Sequence, residues 1–554
     1  MRKTVIFLLA IVCGVLSGCK NANPSKILLN DVGKDAVYEV TDDKYRTFYE
    51  VFVYSFEDSN GDRIGDLKGL TEKLDYINDG DPSTDSDLGF NGIWLMPIMK
   101  SPSYHKYDAI DYMSVDPEYG SIDDFDVLMD ECGKRNINVI IDLMLNHTSN
   151  LHPWFQEAAN YISKCVKEGK TPDASECKYF NYYNFSDKAA NGYNQVGTTG
   201  WYYESRFGAH MPDLNYDCED VWKEIEAVAD FWLSHGVSGF RLDAVKYLYS
   251  EDETKTLSAL SRFNDYVKRK NPDAYIVGEC WDSQTVIDKY YTTGIDSLFN
   301  FSFSGSSGNI AAYANTRKKL TGALTYAKDC MDYQNNLLSI SKDAIDAPFF
   351  TNHDMGRAAG YFSGEYAMME TKMAGALNLL MNGAAFVYYG EELGMKGSGS
   401  DPNQRAPMYW TEDKNAEGMC KGPEEMTNVK MKYEAFDKQK EDSLSIYNFY
   451  KEVIKLRNRF PEIARGEISV CDNSTEEVCL MKKTYEGKEI LIAINLTAEE
   501  QSVLIKDETV NEKQIDAKTV AGFVSASDVT ERTCGEMFAD DTLAVPAFSV
   551  VIFQ

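Results

Sequence analysis

From about Tyr45 to Phe460 the chain alternates short apolar runs with amphipathic stretches, and that rhythm leaves it few folds. The runs cover residues 48–53, 92–96, 139–145, 239–242, 275–277, 298–303, 348–350 and 385–389. Most are followed by a helical pattern, such as 221–232 and 369–380. Buried strands that alternate with helices pack as a parallel sheet under a helical layer. Eight such units predict an α/β protein of the (β/α)8 TIM-barrel class over 44–147 and 216–460. Two regions break the rhythm. Residues 148–215 show no clear strand or long helix and are rich in Tyr, Asn, Gly and Trp. Their aromatics argue for order, so they read as an insertion domain after strand 3. Beyond residue 460, short alternating runs at 478–482, 489–495, 501–505 and 544–553 predict a C-terminal antiparallel β-sandwich over 461–554.

In such a barrel, chemistry sits where the strands end at their C-terminal side. Four motifs stand there: Ile141-Asp-Leu-Met-Leu-Asn-His147, Gly239-Phe-Arg-Leu-Asp-Ala-Val-Lys246, Gly278-Glu-Cys-Trp281 and Phe350-Thr-Asn-His-Asp354. They bring Asp142, Asn146, His147, Asp243, Glu279 and Asp354 to one end of the barrel. One carboxyl that protonates a leaving oxygen, and one carboxylate that meets a cationic carbon, are what glycosidic cleavage needs. Arg241 precedes Asp243 by two residues on a strand, hence on its face, and favours the anion that attacks C1. Glu279 must carry a proton, which a partly apolar setting provides, and Trp281 is the candidate neighbour. Singly, an acid at a strand end is an ordinary solvated or capping group. Together, in this order, the motifs point to chemistry.

The chain resembles glycoside hydrolase family 13, the α-amylase family, through these four motifs and a fifth, Met211-Pro-Asp-Leu-Asn215. The resemblance covers roughly Phe48 to the C-terminus. It implies Asp243 as nucleophile, Glu279 as acid/base and Asp354 as transition-state stabiliser. It implies sugar contacts from His105, Tyr107, Asp142, His147, Arg241, Lys246 and His353, with Tyr107 stacking on the sugar in the cleavage subsite. It implies a retained anomeric configuration, with catalytic carboxyls about 5–5.5 Å apart. Ala244 after the nucleophile and Lys246 favour α-1,4-glucan: starch, glycogen or maltooligosaccharide. The fifth motif leaves pullulan and cyclodextrin open, so cyclomaltodextrinase, neopullulanase and maltose-processing transglycosylase are the alternatives within enzymes. A non-catalytic glucan-binding lipoprotein is the alternative outside them.

Calcium is the expected cofactor. Asp58, Asn60, Asp62, Ile64 (through its carbonyl) and Asp66 place oxygens on one loop, as a hard cation requires. That loop resembles the calcium loop after the family's first strand, with Arg63 where Gly is common. Asn146, Asp213 and the carbonyl of Tyr247 match a second family site. The bland reading of the loop is an Asx-rich turn.

At the N-terminus, Arg2 and Lys3 precede an apolar run over 5–15 and then Leu16-Ser-Gly-Cys19. Residues 1–18 read as a signal peptide that is too short to span a bilayer. The motif looks like a bacterial lipobox, which predicts a lipid on Cys19, a polar tether over 19–43, and an exported, membrane-anchored protein at the outer membrane or cell surface. The formal charge of −31 argues against nucleic acid and disfavours electrostatic docking on anionic lipid. Export permits disulfides. Cys165 with Cys177, and Cys471 with Cys479, are the candidate pairs.

Overall fold

The computed structural model describes residues 23–250, 252–317, 322–427 and 429–554. The segment expected to be a signal peptide, and Cys19, lie outside the described residues. Seven strands form one parallel sheet. They are β1 (Thr47–Val51), β2 (Gly92–Leu95), β3 (Asn138–Leu143), β4 (Gly239–Leu242), β5 (Tyr275–Gly278), β6 (Ser297–Leu298) and β7 (Ala385–Tyr388). The sheet runs β6-β5-β4-β3-β2-β1-β7. Its two edges meet through a segment too irregular to be a strand: Ala347 bridges Phe299 and Phe349 bridges Phe386, both parallel. The curled sheet thus closes as a (β/α)8 barrel does. Two of the eight apolar runs are less regular than their composition predicts. Of 298–303 only Leu298 is strand, at the end of Ser297–Leu298, and 348–350 makes one bridge, at Phe349, its Pro348 having no N–H to donate.

Alternation along the strands fills the barrel. Phe48, Trp94, Ile140, Tyr275, Val277, Phe299, Phe349 and Phe386 form one buried interior cluster. Gly239 admits the close approach of β4 to β5: a Cβ there would stand 1.8 Å from the Tyr275 carbonyl oxygen. Residues of the same parity one step further along each strand form the next layer, and that layer is the floor of the functional site.

The insertion carries more regular structure than its sequence suggests. Helix Pro153–Lys167 opens with Pro at its first turn, a position where the missing N–H costs nothing. It buries Phe155, Ala158, Ile162 and Cys165. A small antiparallel sheet of Phe185–Ser186, Tyr193–Gln195 and Tyr202–Glu204 completes the insertion.

The C-terminal region has a five-stranded antiparallel sheet packed on a three-stranded one. The run 544–553 is two strands, Thr542–Val545 and Ser549–Phe553, one in each sheet. Pro546 falls in the crossing between them. Val478, Leu480, Leu491 and Val551 face the smaller sheet, while Cys479, Met481, Ile492 and Ile552 face the barrel.

That alternation overturns one disulfide expectation. Cys479 points toward the barrel and Cys471 packs on the opposite side, its thiol donating to Glu508. All ten described cysteines are free, Cys165 and Cys177 included. The polar tether is also corrected in part. Ile27 and Leu29 make backbone hydrogen bonds to Cys534 and Arg532, and Leu29 is fully buried in the sandwich core. Among the described residues no helix is long and apolar enough to cross a membrane.

Candidate active site

The parallel register assembles the site. Arg241 pairs with Asp142 on β3 and with Val277 on β5. Residues paired across parallel strands share a face, and a step of two along a strand keeps that face. Asp243 and Glu279 stand two beyond Arg241 and Val277, so both follow the interior parity. Backbone bonds from Asp243 N to Leu143 O (3.2 Å) and Glu279 N to Leu242 O (2.9 Å) carry the ladder past the strand ends.

One guanidinium joins the acids. Arg241 Nη1 donates to Asp142 (2.8 and 3.1 Å) and to Asp243 Oδ1 (2.7 Å), and Nη2 donates to Glu279 Oε2 (2.8 Å). Its side chain is fully buried and lies over the Trp94 ring at 5.2 Å. Ala244 adopts a left-handed conformation, φ 46°, and its N–H donates to the same Glu279 oxygen at 3.1 Å. Burial pushes the Glu279 carboxyl up to about 7 against the pull of Arg241, with Asp243 and Asp354 adding repulsion. Asp142 is raised to about 6, again by burial and against Arg241. Trp281, expected to supply the apolar cover of Glu279, is instead 47% exposed and stacks on Phe301 at 5.1 Å.

Asp354 has a different setting. Its Oδ2 is 3.0 Å from His353 Nε2, and its Oδ1 accepts from Arg405 Nη2 at 3.2 Å. Burial opposes its ionisation, but His353 and Arg405 overcome this and hold the carboxyl far below the usual range. His353 Nδ1 donates to Glu50 Oε1 at 2.6 Å, and both groups are buried. Burial would depress His353, yet Asp354 and Glu50 raise it to about 9.

Asp243, Glu279 and Asp354 all open onto one cavity of about 550 Å³, with His105, Tyr107, His147 and Lys246 among its walls. Asp142, Arg241 and His353 lie one layer beneath and hold the lining from below. Tyr107 donates its hydroxyl to Asp142 (2.9 Å), and its ring stacks on His353 at 5.6 Å. His147 Nε2 donates to the Tyr107 carbonyl at 3.1 Å. Burial keeps His147 depressed and takes His105 down to about 4. Lys246 is committed: its ammonium donates to the Trp281 carbonyl (2.7 Å) and Asp282 (2.9 Å), tying down the segment after Glu279.

Glu50, Arg405, Asp401 and Phe207 were not anticipated. The last three line the cavity. Glu50 had a signal, an acid inside the apolar run of β1. Asp401 opens a one-turn helix, Asp401–Gln404, past the last strand and Arg405 caps its end, a turn too short for any periodicity to mark.

The calcium residues divide. In the loop, Asp58 accepts the backbone N–H of Asn60, Gly61 and Arg63, and Asp66 accepts those of Ser59 and Gly69. Asn60 and Asp62 turn to the backbone N–H two residues on. Arg63 takes the left-handed turn at φ 73°. The Asx geometry therefore satisfies the carboxylates locally. Among the described residues no three His, Cys, Asp or Glu side chains gather as metal ligands. At the second place, Asn146 donates to the Tyr247 carbonyl and the strand pairing sets His147 against Asp213. Asp213 Oδ1 is buried without a partner, and burial raises the carboxyl to about 7. An orphaned buried carboxylate oxygen, on a segment paired through its backbone with the one that carries Asn146, is the donor type a hard cation takes.

The family model for the alpha amylase catalytic domain matches residues 50–466. A solved structure, Amy13B of Eubacterium rectale, is 48% identical, with a TM-score of 0.86 over 93% of this chain and 96% of that one. Alpha-amylase 3 of Dictyoglomus thermophilum is 35% identical over 85% of this chain and 88% of its own length. An oligo-1,6-glucosidase of Bacillus cereus is 27% identical over 82% and 91%. With the site's geometry and these matches along most of its length, the chain belongs to the alpha-amylase family of glycoside hydrolases, family 13.

Proposed function

We propose that the chain is a retaining α-glucan hydrolase that cleaves α-1,4 bonds in starch, glycogen or maltooligosaccharides. The supporting observation is the shared guanidinium, which brings the Asp243 and Glu279 carboxyls to one cavity with Asp354. Asp243 attacks C1 while Glu279 passes its proton to the glycosidic oxygen, and the leaving glucan departs. Glu279, now ionised, takes a proton from water, which attacks C1 and frees Asp243. Asp354 strengthens its hold on the sugar as the ring distorts. A timed digest of amylose resolved by chain length tests this reading: maltooligosaccharides with α-configured new ends support it. β-Configured ends, seen by NMR, would contradict the nucleophile.

A second reading has a specific warrant, since one relative is an oligo-1,6-glucosidase. The small Ala244 beside the nucleophile favours α-1,4 over α-1,6 bonds. Faster turnover of isomaltose or pullulan than of amylose would reverse that preference, and disaccharide products made from maltose would mark a transglycosylase.

Calcium is proposed with Asn146, Asp213 and the Tyr247 carbonyl as holders, and with the 58–66 loop as a weaker place. Between Asn146, Asp213 and Tyr247 it would tie the insertion to the barrel. Chelation should lower the melting temperature, and calcium should restore it. Lipidation of Cys19 is proposed from the lipobox. Mass spectrometry of the mature N-terminus should find a diacylglyceryl thioether, which a Cys19→Ala variant lacks.

A further inference from the structure

Lys106 sits between two residues of the cavity wall, His105 and Tyr107, without lining the cavity itself. Its backbone is left-handed, φ 64°, a conformation that crowds any residue with a Cβ and that glycine takes freely. Its ammonium turns the opposite way. The side chain is only 2% exposed, 3.0 Å from Asp116 and 2.5 Å from Glu118. Nζ also lies 5.3 Å from the Tyr119 ring centre. Asp116 is itself fixed, accepting from Ser101 N (2.9 Å) and Glu118 N (3.0 Å). Within the turn, Lys106 N donates to Ser103 Oγ (3.2 Å) and Tyr107 N to His105 Nδ1 (3.1 Å), while the Ser101 and Ser103 hydroxyls both donate to Asp108, so the ion pair is the charged anchor beside a neutral hydroxyl network. A glycine would meet the backbone requirement and supply no anchor. The lysine accepts the strained conformation and gains a buried ion pair.

We propose that Lys106 is a positioning residue for the cleavage subsite. Its ion pair with Asp116 and Glu118 holds the turn that presents His105 and Tyr107 to the sugar. The proposal rests on the reading of this cavity as the site of glucan cleavage. A point misplacement of groups that grip a distorting sugar lowers the chemical step more than binding.

The test compares Lys106→Met, Lys106→Gly, Lys106→Arg and Glu118→Gln on a defined maltooligosaccharide, with melting temperature measured beside kcat and KM. Lys106→Met and Lys106→Gly should each lose roughly ten- to a hundredfold in kcat with a smaller change in KM. Lys106→Arg should recover most of the loss. Glu118→Gln changes a half-exposed carboxylate, so it keeps the test decisive where a Lys106 variant does not fold, and it should lose kcat severalfold. Full kcat in folded Lys106→Met, or in Lys106→Gly, would overturn the proposal, as would an unchanged Glu118→Gln. A wild-type chain that leaves amylose intact would refute the functional reading instead.

Discussion

The two sides of the cavity floor balance charge in different ways. On the β3–β5 side a single cation, Arg241, faces three carboxyls, Asp142, Asp243 and Glu279. On the other side two cations, His353 and Arg405, face two buried carboxyls, Asp354 and, behind His353, Glu50, while a third acid, Asp401, pairs with Arg405 from a half-exposed position. Buried carboxyls outnumbering their cations cannot all stay ionised at neutral pH. The first side therefore keeps a proton, and the one on Glu279 reaches the cavity. The second side has cations enough to hold Asp354 as an anion. One fold thus runs an acid and a permanent carboxylate side by side, by counting partners rather than by changing residue type.

The strongest break of this contrast is Glu279→Gln, which removes the transferable proton and keeps the shape. Its kcat should fall by about 10²–10⁴-fold, with circular dichroism unchanged. Next comes pH. Wild-type kcat/KM should fall as pH rises through about 7, because Glu279 then loses its proton. Asp142→Asn removes one of the competing anions around Arg241, so Glu279 ionises more easily. The alkaline limb should move to lower pH, by up to about one unit. A limb that stays in place would show that the three acids are not competing for one cation.

The smallest effect concerns the other side. The folded value of His353, about 9, lies above its unfolded value near 6.5. Its stabilising contribution is therefore complete below about 6.5 and is lost as pH rises through about 9. The melting temperature of the wild type should decline across that window. Glu50→Gln removes one of the two carboxylates that raise His353, so its decline should be shallower and centred at lower pH. Parallel melting curves for the two proteins would remove Glu50 from the account.

The β3–β5 side was legible in the sequence because regular strands place it. Spacing of two put Arg241 with Asp243, and apolar runs ending in acids marked the strand ends. The other side was only half legible. Asp354 and His353 stood in a motif, but their segment closes the barrel by single bridges at Ala347 and Phe349. Arg405 reaches Asp354 from the end of a one-turn helix too short to show a period. Charge pairing of Lys246 with Asp282 depends on how two loops meet, which spacing does not encode. The insertion's helix was readable in principle, since Phe155, Ala158, Ile162 and Cys165 recur at helical intervals. Its aromatic and Asn-rich surroundings hid that period.

The protonation of Glu279 at neutral pH carries the whole scheme. Infrared difference spectra of wild type against Glu279→Gln, recorded from acid to alkaline pH, read that proton directly. A protonated carboxyl band that persists at about pH 6 and titrates away near 7 is the predicted result. A carboxylate band already complete at about pH 5, as for a free glutamate, would contradict it.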